Sequence, residues 1–311
     1  MLVYFRIKIA LMRIPSGFFK SFRAPGKVLY FVFFITLLTA CRTSSTFITE
    51  PRSAPDYFTP ENRYFPMVSV HRGGGELPGY PENCLESFEY FARRMPSIIE
   101  CDIAMSLDSV LYMMHDNTLE RTTTGTGKTS ERDWAYLQSL YIKDNFGTVT
   151  PYRIPSLDQV LQWGRNKVLF TLDVKRSTPF EKVVQSVRKT RAENSAVIIT
   201  YNATDARKVY ELAPDLMISV GIMKQDDYER LHQLGVPDRN MVAFIGVNEP
   251  DKALITFLHA KGIPVILGVL GNLDKKAAAQ GNKVYKNYID LGVDILSTDR
   301  PEAVYSVIKK P

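Results

Sequence analysis

The sequence predicts a single (β/α)8 barrel. Short apolar runs recur along its 311 residues, and each but the second is followed by a helical pattern. Strands that are apolar on both faces belong to a parallel sheet covered on both sides. Eight such units in about 250 residues fit a closed barrel. An open, doubly wound sheet is the alternative.

Taken in order, "FPMVSVHR" (65–72) reads as the first strand, and "PENCLESFEYFARR" (81–94) as a helix with Leu85, Phe88 and Phe91 on one face. "SIIECDIA" (97–104) is the second strand. "SLDS" reads as a turn, so 103–106 and 110–115 form a hairpin above the barrel mouth, with Asp102 roughly opposite His115. Residues 116–155 are a long insertion, and long ordered loops in compact domains are usually functional. A short helix at 156–164 is capped by Ser156. Strand 167–175 precedes helix 179–192, strand 196–200 helix 203–212, and strand 216–222 helix 226–235. Strand 240–247 precedes helix 250–261, strand 263–270 helix 275–291, and strand 293–299 the final helix 301–309. There is no internal repeat.

The net charge of +6 does not mark a nucleic-acid-binding protein. Arg6, Lys8, Arg13, Lys20, Arg23 and Lys27 account for all of it, and residues 1–40 contain no Asp or Glu. The remainder balances, so it presents no general polyanion-binding surface. The basic start leads into "VLYFVFFITLLTA" (28–40), too short for a comfortable membrane span and suited to a signal-peptide core. Leu38-Thr39-Ala40-Cys41 resembles a bacterial lipobox, which implies lipidation of Cys41. The expectation is an exported, membrane-anchored lipoprotein facing the periplasm or the cell surface. Its parts are a leader over 1–40, a polar tether over 41–64 and a barrel domain over 65–311. An uncleaved N-terminal anchor is the alternative. Cys84 and Cys101 are either paired or two buried thiols.

Barrel enzymes carry their chemistry at the C-terminal ends of the strands. Strand 1 ends in His71-Arg72, strand 2 in Glu100 and Asp102, strand 3 in Asp173 and Lys175, and the hairpin returns His115. Period-two alternation puts Glu100 and Asp102 on one face and Cys101 on the other. Three facing carboxylates repel unless a cation sits among them, and all-oxygen ligands select Mg²⁺ or Ca²⁺. Such a cation, with Arg72 and Lys175 nearby, suits a phosphate oxygen. The two histidines suit proton transfer to and from oxygen. Strand 8 ends in Thr298-Asp299 at the same mouth, and a helix cap is the alternative reading of Asp299, as it is of Glu82. "TGTGKT" (124–129) lacks the first glycine of a P-loop, since 122 is Thr122.

With these residues in place, the chain resembles the glycerophosphodiester phosphodiesterase family, part of a phospholipase-like barrel superfamily. "HRGGG…YPENCLESF", "ECDI", "HDNTLERTTTGTG" and "VDILSTDRP" carry the likeness, which spans roughly 67–309. The resemblance implies that His71 and His115 are the acid/base pair, Glu100 and Asp102 metal ligands, and Arg72 and Lys175 phosphate contacts. It also implies cleavage of a glycerophosphodiester to glycerol phosphate and an alcohol.

Two positions depart from the family pattern. The third strand has Asp173-Val174-Lys175 where the family has E-x-K, so the third ligand is one methylene shorter. "GVLGNLD" (268–274) replaces W-T-V-N, and Asn272 and Asp274 are expected to supply polar groups to the substrate pocket. A lyase-like phospholipase that leaves a cyclic phosphate is a second reading, acting on a phospholipid or lysophospholipid. A non-catalytic binding lipoprotein is a third.

Overall fold

The strands are β1 (Met67–Val70), β2 (Ser97–Met105), β3 (Leu111–Met113), β4 (Tyr141–Lys143), β5 (Val149–Arg153), β6 (Leu169–Val174), β7 (Ala196–Thr200), β8 (Met217–Gly221), β9 (Met241–Phe244), β10 (Val265–Gly268) and β11 (Ile295–Thr298). In this computed structural model, which describes residues 54–59 and 65–308, β1 pairs in parallel with both β2 and β11. The run β1-β2-β6-β7-β8-β9-β10-β11 therefore closes on itself as an eight-stranded parallel barrel. The open-sheet alternative is excluded. The expected leader, Cys41 and most of the tether lie outside the described residues.

Alternation along each strand layers the interior. Met67, Ile98, Leu169, Val197, Met217, Val242, Ile266 and Ile295, one from each strand, form an apolar floor near the strands' N-terminal ends. Two residues further along, Ser69, Glu100, Thr171, Ser219 and Ser297 point into a cavity. Two further still come His71, Asp102 and Asp173. The same alternation sends Ile99, Cys101 and Ile103 outward into the core beneath the helices.

The floor is sealed from below by a segment expected to be tether. A short helix, Ala54–Tyr57, buries Ala54 and Tyr57 together with Phe58 against the floor residues. Three apolar side chains within five residues drive this docking, against the polar composition of the surrounding stretch.

The helices fall close to their expected positions. Ser156 and Gln159 make a capping box at helix Leu157–Gly164, and helix Phe180–Thr190 turns Val183, Val184 and Val187 inward. The helix expected over 275–291 is two, Asn272–Gln280 and Lys283–Asp290, because Gly281 between them has a φ of +95°.

The hairpin forms with its register one residue from expectation. β3 pairs antiparallel with β2, with Met105 opposite Leu111, and the Met114 N–H donates to the Asp102 carbonyl over 3.0 Å. Met114, not His115, faces Asp102 across the pair. The Ser106 hydroxyl donates to Asp108 and accepts from the Val110 N–H, which centres the loop on Asp108. The insertion adds helix Trp134–Ser139 and the antiparallel pair β4–β5. Leu119, Leu137, Leu140, Ile142 and Ile154 pack with Tyr112 and Met114 of the hairpin. "TGTGKT" belongs to this unit, with no P-loop strand before it. Cys84 and Cys101 are both buried and free, in separate clusters.

Phe58→Ala is expected to lower the unfolding free energy by about 3 kcal/mol, as for other buried aromatic truncations. Urea denaturation followed by circular dichroism measures this. A change below about 1 kcal/mol would place the segment away from the floor.

Candidate active site

β2 and β6 run in register with Asp102 beside Asp173. Inward alternation adds Glu100 one pleat below. Carboxylate oxygens of Glu100, Asp102 and Asp173 all lie within 4.8 Å of one another, and all three residues are buried. Burial first, then the charges of Asp102 and Asp173, push the Glu100 carboxyl up to about 8.

Lys175 answers part of this charge. Its Nζ lies 2.6 Å from Asp102 Oδ1 and 2.9 Å from Asp173 Oδ2. Burial opposes the ammonium, but the two aspartates hold its pKa above the ordinary value. Asp102 is further clamped by Asn83, whose Nδ2 donates to Oδ2 over 2.7 Å and whose Oδ1 accepts the Asp102 N–H over 2.9 Å. Burial works against ionisation of Asp102, and Lys175 and Asn83 overcome it and lower its pKa. Asp173 Oδ1 accepts the Tyr201 hydroxyl at 2.7 Å.

His71 and Arg72 leave β1 in a tight turn. Arg72 has a left-handed backbone (φ +51°) that aims its N–H at Glu100 Oε2, 2.6 Å away. Gly73 follows with φ +64°, and a Cβ there would fall 1.9 Å from the Phe88 ring, so the glycine lets the turn settle onto helix Leu85–Ala92. The Arg72 guanidinium donates to Glu82 over 3.1 Å. Its Nε is buried without a hydrogen-bond partner, 3.9 Å from Asp102.

Both histidines are oriented by carboxylates. His71 Nδ1 lies 2.6 Å from Asp299 Oδ1, and His115 Nδ1 lies 2.7 Å from Asp116 Oδ1. A carboxylate at Nδ1 fixes the hydrogen there and leaves Nε2 free for substrate. Burial opposes the charged form of His71, but the Asp299 bond and the Glu100 charge raise its pKa. Arg121, from the insertion, hydrogen-bonds both Asp116 and Glu82. Its bond holds Asp116 well below the usual carboxylate range.

Two expectations need correction. The cap alternative for Glu82 and Asp299 gives way: Glu82 is the buried acceptor for Arg72 and Arg121, and Asp299, at the strand-8 end, orients His71. Asn272 and Asp274 do not line the cavity. Asn272 opens a helix and is exposed. Asp274 is buried, accepting the Tyr285 and Thr298 hydroxyls and the Asp299 N–H, so it fixes the end of β11 that carries Asp299. Sequence reasoning also gave no role to Asn83, Arg121 or Tyr201. Asn83 and Arg121 lie within the quoted "PEN" and "LERTT" segments, which was their available signal.

A cavity of about 320 Å³ opens over these groups, lined on one side by His71, Glu100 and Asp173. The donor set fits a hard divalent cation. All its donors are carboxylate oxygens, and one ammonium does not balance three carboxylates once Glu100 exchanges its proton for a cation. Glu82, His115 and Asp116 also cluster, but Arg72 and Arg121 already occupy both Glu82 oxygens.

In the metal-free protein, His71 should titrate above 6.5 by NMR, and Asp299→Asn should lower its pKa. The folded value exceeds the unfolded one, so this pair favours folding at low pH. That contribution is lost as pH rises through the folded value. An unchanged His71 titration in Asp299→Asn would refute the pairing.

A family model, the glycerophosphoryl diester phosphodiesterase family, matches residues 71–303. A crystal structure of a glycerophosphoryl diester phosphodiesterase from Parabacteroides distasonis is 32% identical, with a TM-score of 0.75, covering 82% of this chain and 90% of that one. A glycerophosphodiester phosphodiesterase from Caldanaerobacter subterraneus subsp. tengcongensis is 24% identical over 261 residues, 78% of this chain and 98% of the relative. A phosphodiesterase from Oleispira antarctica, solved in complex with the product sn-glycerol-3-phosphate, is 19% identical and shares the fold, with a TM-score of 0.63 over 79% of this chain and 98% of that one. The match over 71–303, with the histidines and carboxylates of its motifs gathered at one barrel mouth, shows that the chain belongs to the glycerophosphoryl diester phosphodiesterase family of enzymes.

Proposed function

We propose that the protein hydrolyses glycerophosphodiesters to glycerol phosphate and an alcohol, with a divalent cation, Mg²⁺ or Ca²⁺, held by Glu100, Asp102 and Asp173. The observation that carries this reading is the convergence of the three carboxylates with two carboxylate-oriented histidines at one mouth. The solved complex of the Oleispira phosphodiesterase with sn-glycerol-3-phosphate is in keeping with it.

When bound, the cation would neutralise phosphate oxygens and the charge that builds on them. Lys175 and Arg72 add positive charge beside the phosphate. One histidine Nε2 accepts a proton from the attacking oxygen, and the other donates one to the leaving alcohol oxygen. A P–O bond forms on the nucleophile's side as the P–O bond to the alcohol breaks, so the histidines exchange protonation states over one turnover. Asp299 and Asp116 hold the rings, and Arg121 ties Asp116 to Glu82. We also propose export of the chain and its retention at a membrane through Cys41, on the strength of the lipobox-like sequence.

With glycerophosphocholine as substrate, EDTA should abolish choline release, and added Mg²⁺ or Ca²⁺ should restore it. His71→Ala and His115→Ala should each lower kcat about 10²- to 10⁴-fold. Activity that survives EDTA or both substitutions would overturn the mechanism. Phosphorus NMR of the products should show glycerol phosphate from the first turnover. A cyclic phosphate formed first would assign the attack to a substrate hydroxyl instead of water.

A further inference from the structure

Tyr201 is a surface residue with one end in the site. β6 and β7 run in parallel with Asp173 beside Ile199. Two positions further, the same alternation returns Tyr201 to the cavity, just past the end of β7. The residue is 70% exposed, so core packing does not account for it. Its hydroxyl nevertheless donates to Asp173 Oδ1 over 2.7 Å. A phenol keeps its proton at neutral pH, so this oxygen is already in use as an acceptor.

The other two carboxylates are held in the same way. Asn83 Nδ2 donates to Asp102 Oδ2 over 2.7 Å, and the Arg72 N–H donates to Glu100 Oε2 over 2.6 Å. Each carboxylate thus gives one oxygen to a neutral donor and keeps the other: Glu100 Oε1, Asp102 Oδ1 and Asp173 Oδ2. Lys175 Nζ lies against the last two, at 2.6 and 2.9 Å, which marks where positive charge belongs. Two of the three donors are fixed by the fold. The Arg72 N–H is backbone, and Asn83 is tied at both ends, since its Oδ1 also accepts the Asp102 N–H. The third hangs on one side chain that is mostly in water.

The number of oxygens left over bears on the ion. Ca²⁺ takes about six to eight oxygens and readily uses both oxygens of one carboxylate. Mg²⁺ demands about six in a near-octahedral array and keeps several waters. Three carboxylates held to one oxygen each supply three ligands, and water and the substrate phosphate supply the rest. That set suits Mg²⁺ and falls short for Ca²⁺. We propose that Tyr201 is a positioning residue that sets the ion preference of the site. By occupying Asp173 Oδ1, its hydroxyl holds Asp173 to a single ligand oxygen and favours Mg²⁺ over Ca²⁺. Tyr201 acts through Asp173 and does not touch the ion. This rests on the cation reading above and narrows it.

Isothermal titration calorimetry of the metal-stripped full-length protein with MgCl₂ and with CaCl₂, in the absence of substrate, reads the preference directly. The wild type should bind Mg²⁺ more tightly than Ca²⁺. Removing a hydrogen bond to a metal-ligating carboxylate typically costs about 10- to 100-fold in affinity. In Tyr201→Phe the Mg²⁺ Kd should therefore rise by about tenfold or more. Ca²⁺, now able to take both Asp173 oxygens, should lose less, so the ratio of the two Kd values moves toward Ca²⁺. Met223→Ala, 64% exposed on the same cavity wall, should leave the ratio unchanged. Both positions are exposed, so folding should survive and is checked by circular dichroism. A wild type that prefers Ca²⁺, an unchanged ratio in Tyr201→Phe, or an equal shift in Met223→Ala would overturn the role of Tyr201 and leave the cation reading standing. Unchanged cation affinities with a raised KM for glycerophosphocholine would make Tyr201 a substrate contact instead. Binding of neither ion would overturn the cation reading and this role with it.

Discussion

Three carboxylates share one buried barrel mouth, and much of the surrounding structure serves to make that tolerable. Moving even one ionised carboxylate out of water without a partner costs several kcal/mol. Glu100, Asp102 and Asp173 are buried within reach of one another. Lys175 bridges the two aspartates, Asn83 clamps Asp102 from two sides, Tyr201 holds Asp173, and the Arg72 backbone caps Glu100. A positive charge is still owed, and Glu100, held up to about 8, is the group that registers it. A cation arriving there would favour ionisation of Glu100 and convert mutual repulsion into coordination.

The same constraint reaches outward. Arg72 must approach Glu100 through a left-handed backbone, which needs Gly73 beside it and Phe88 behind it. Its guanidinium is drawn to Glu82, which also takes Arg121, and Arg121 holds the aspartate that orients His115. On the other flank Asp274 fixes the end of β11, so that Asp299 meets His71. The insertion and the final βα unit thus serve the same centre from opposite sides.

The barrel and the inward carboxylates were legible because both follow from short-range alternation. Continuous apolar runs give a parallel sheet, and the period of two puts Glu100 and Asp102 together whatever the rest of the chain does. Groups whose role depends on a partner far along the chain were not legible in that way. Asp299 looks like a cap until His71, 228 positions away, is seen beside it. Glu82 reads as a helix start until Arg121 folds back from the insertion. Asp274 looked available to substrate, but Tyr285 and Thr298 enclose it. The hairpin slipped by one residue because Ser106 and Asp108 set the loop by side-chain bonds that alternation does not record. The plug at 54–58 was hidden by its polar neighbours.

Glu100, Asp102 and Asp173 are the ligands proposed for the cation. Crystals grown with Mn²⁺ and measured at the manganese absorption edge test that assignment directly. One anomalous peak bounded by these three side chains is expected, with the Lys175 ammonium displaced from between the aspartates. No peak there, or a peak at Glu82, His115 and Asp116 instead, would contradict it.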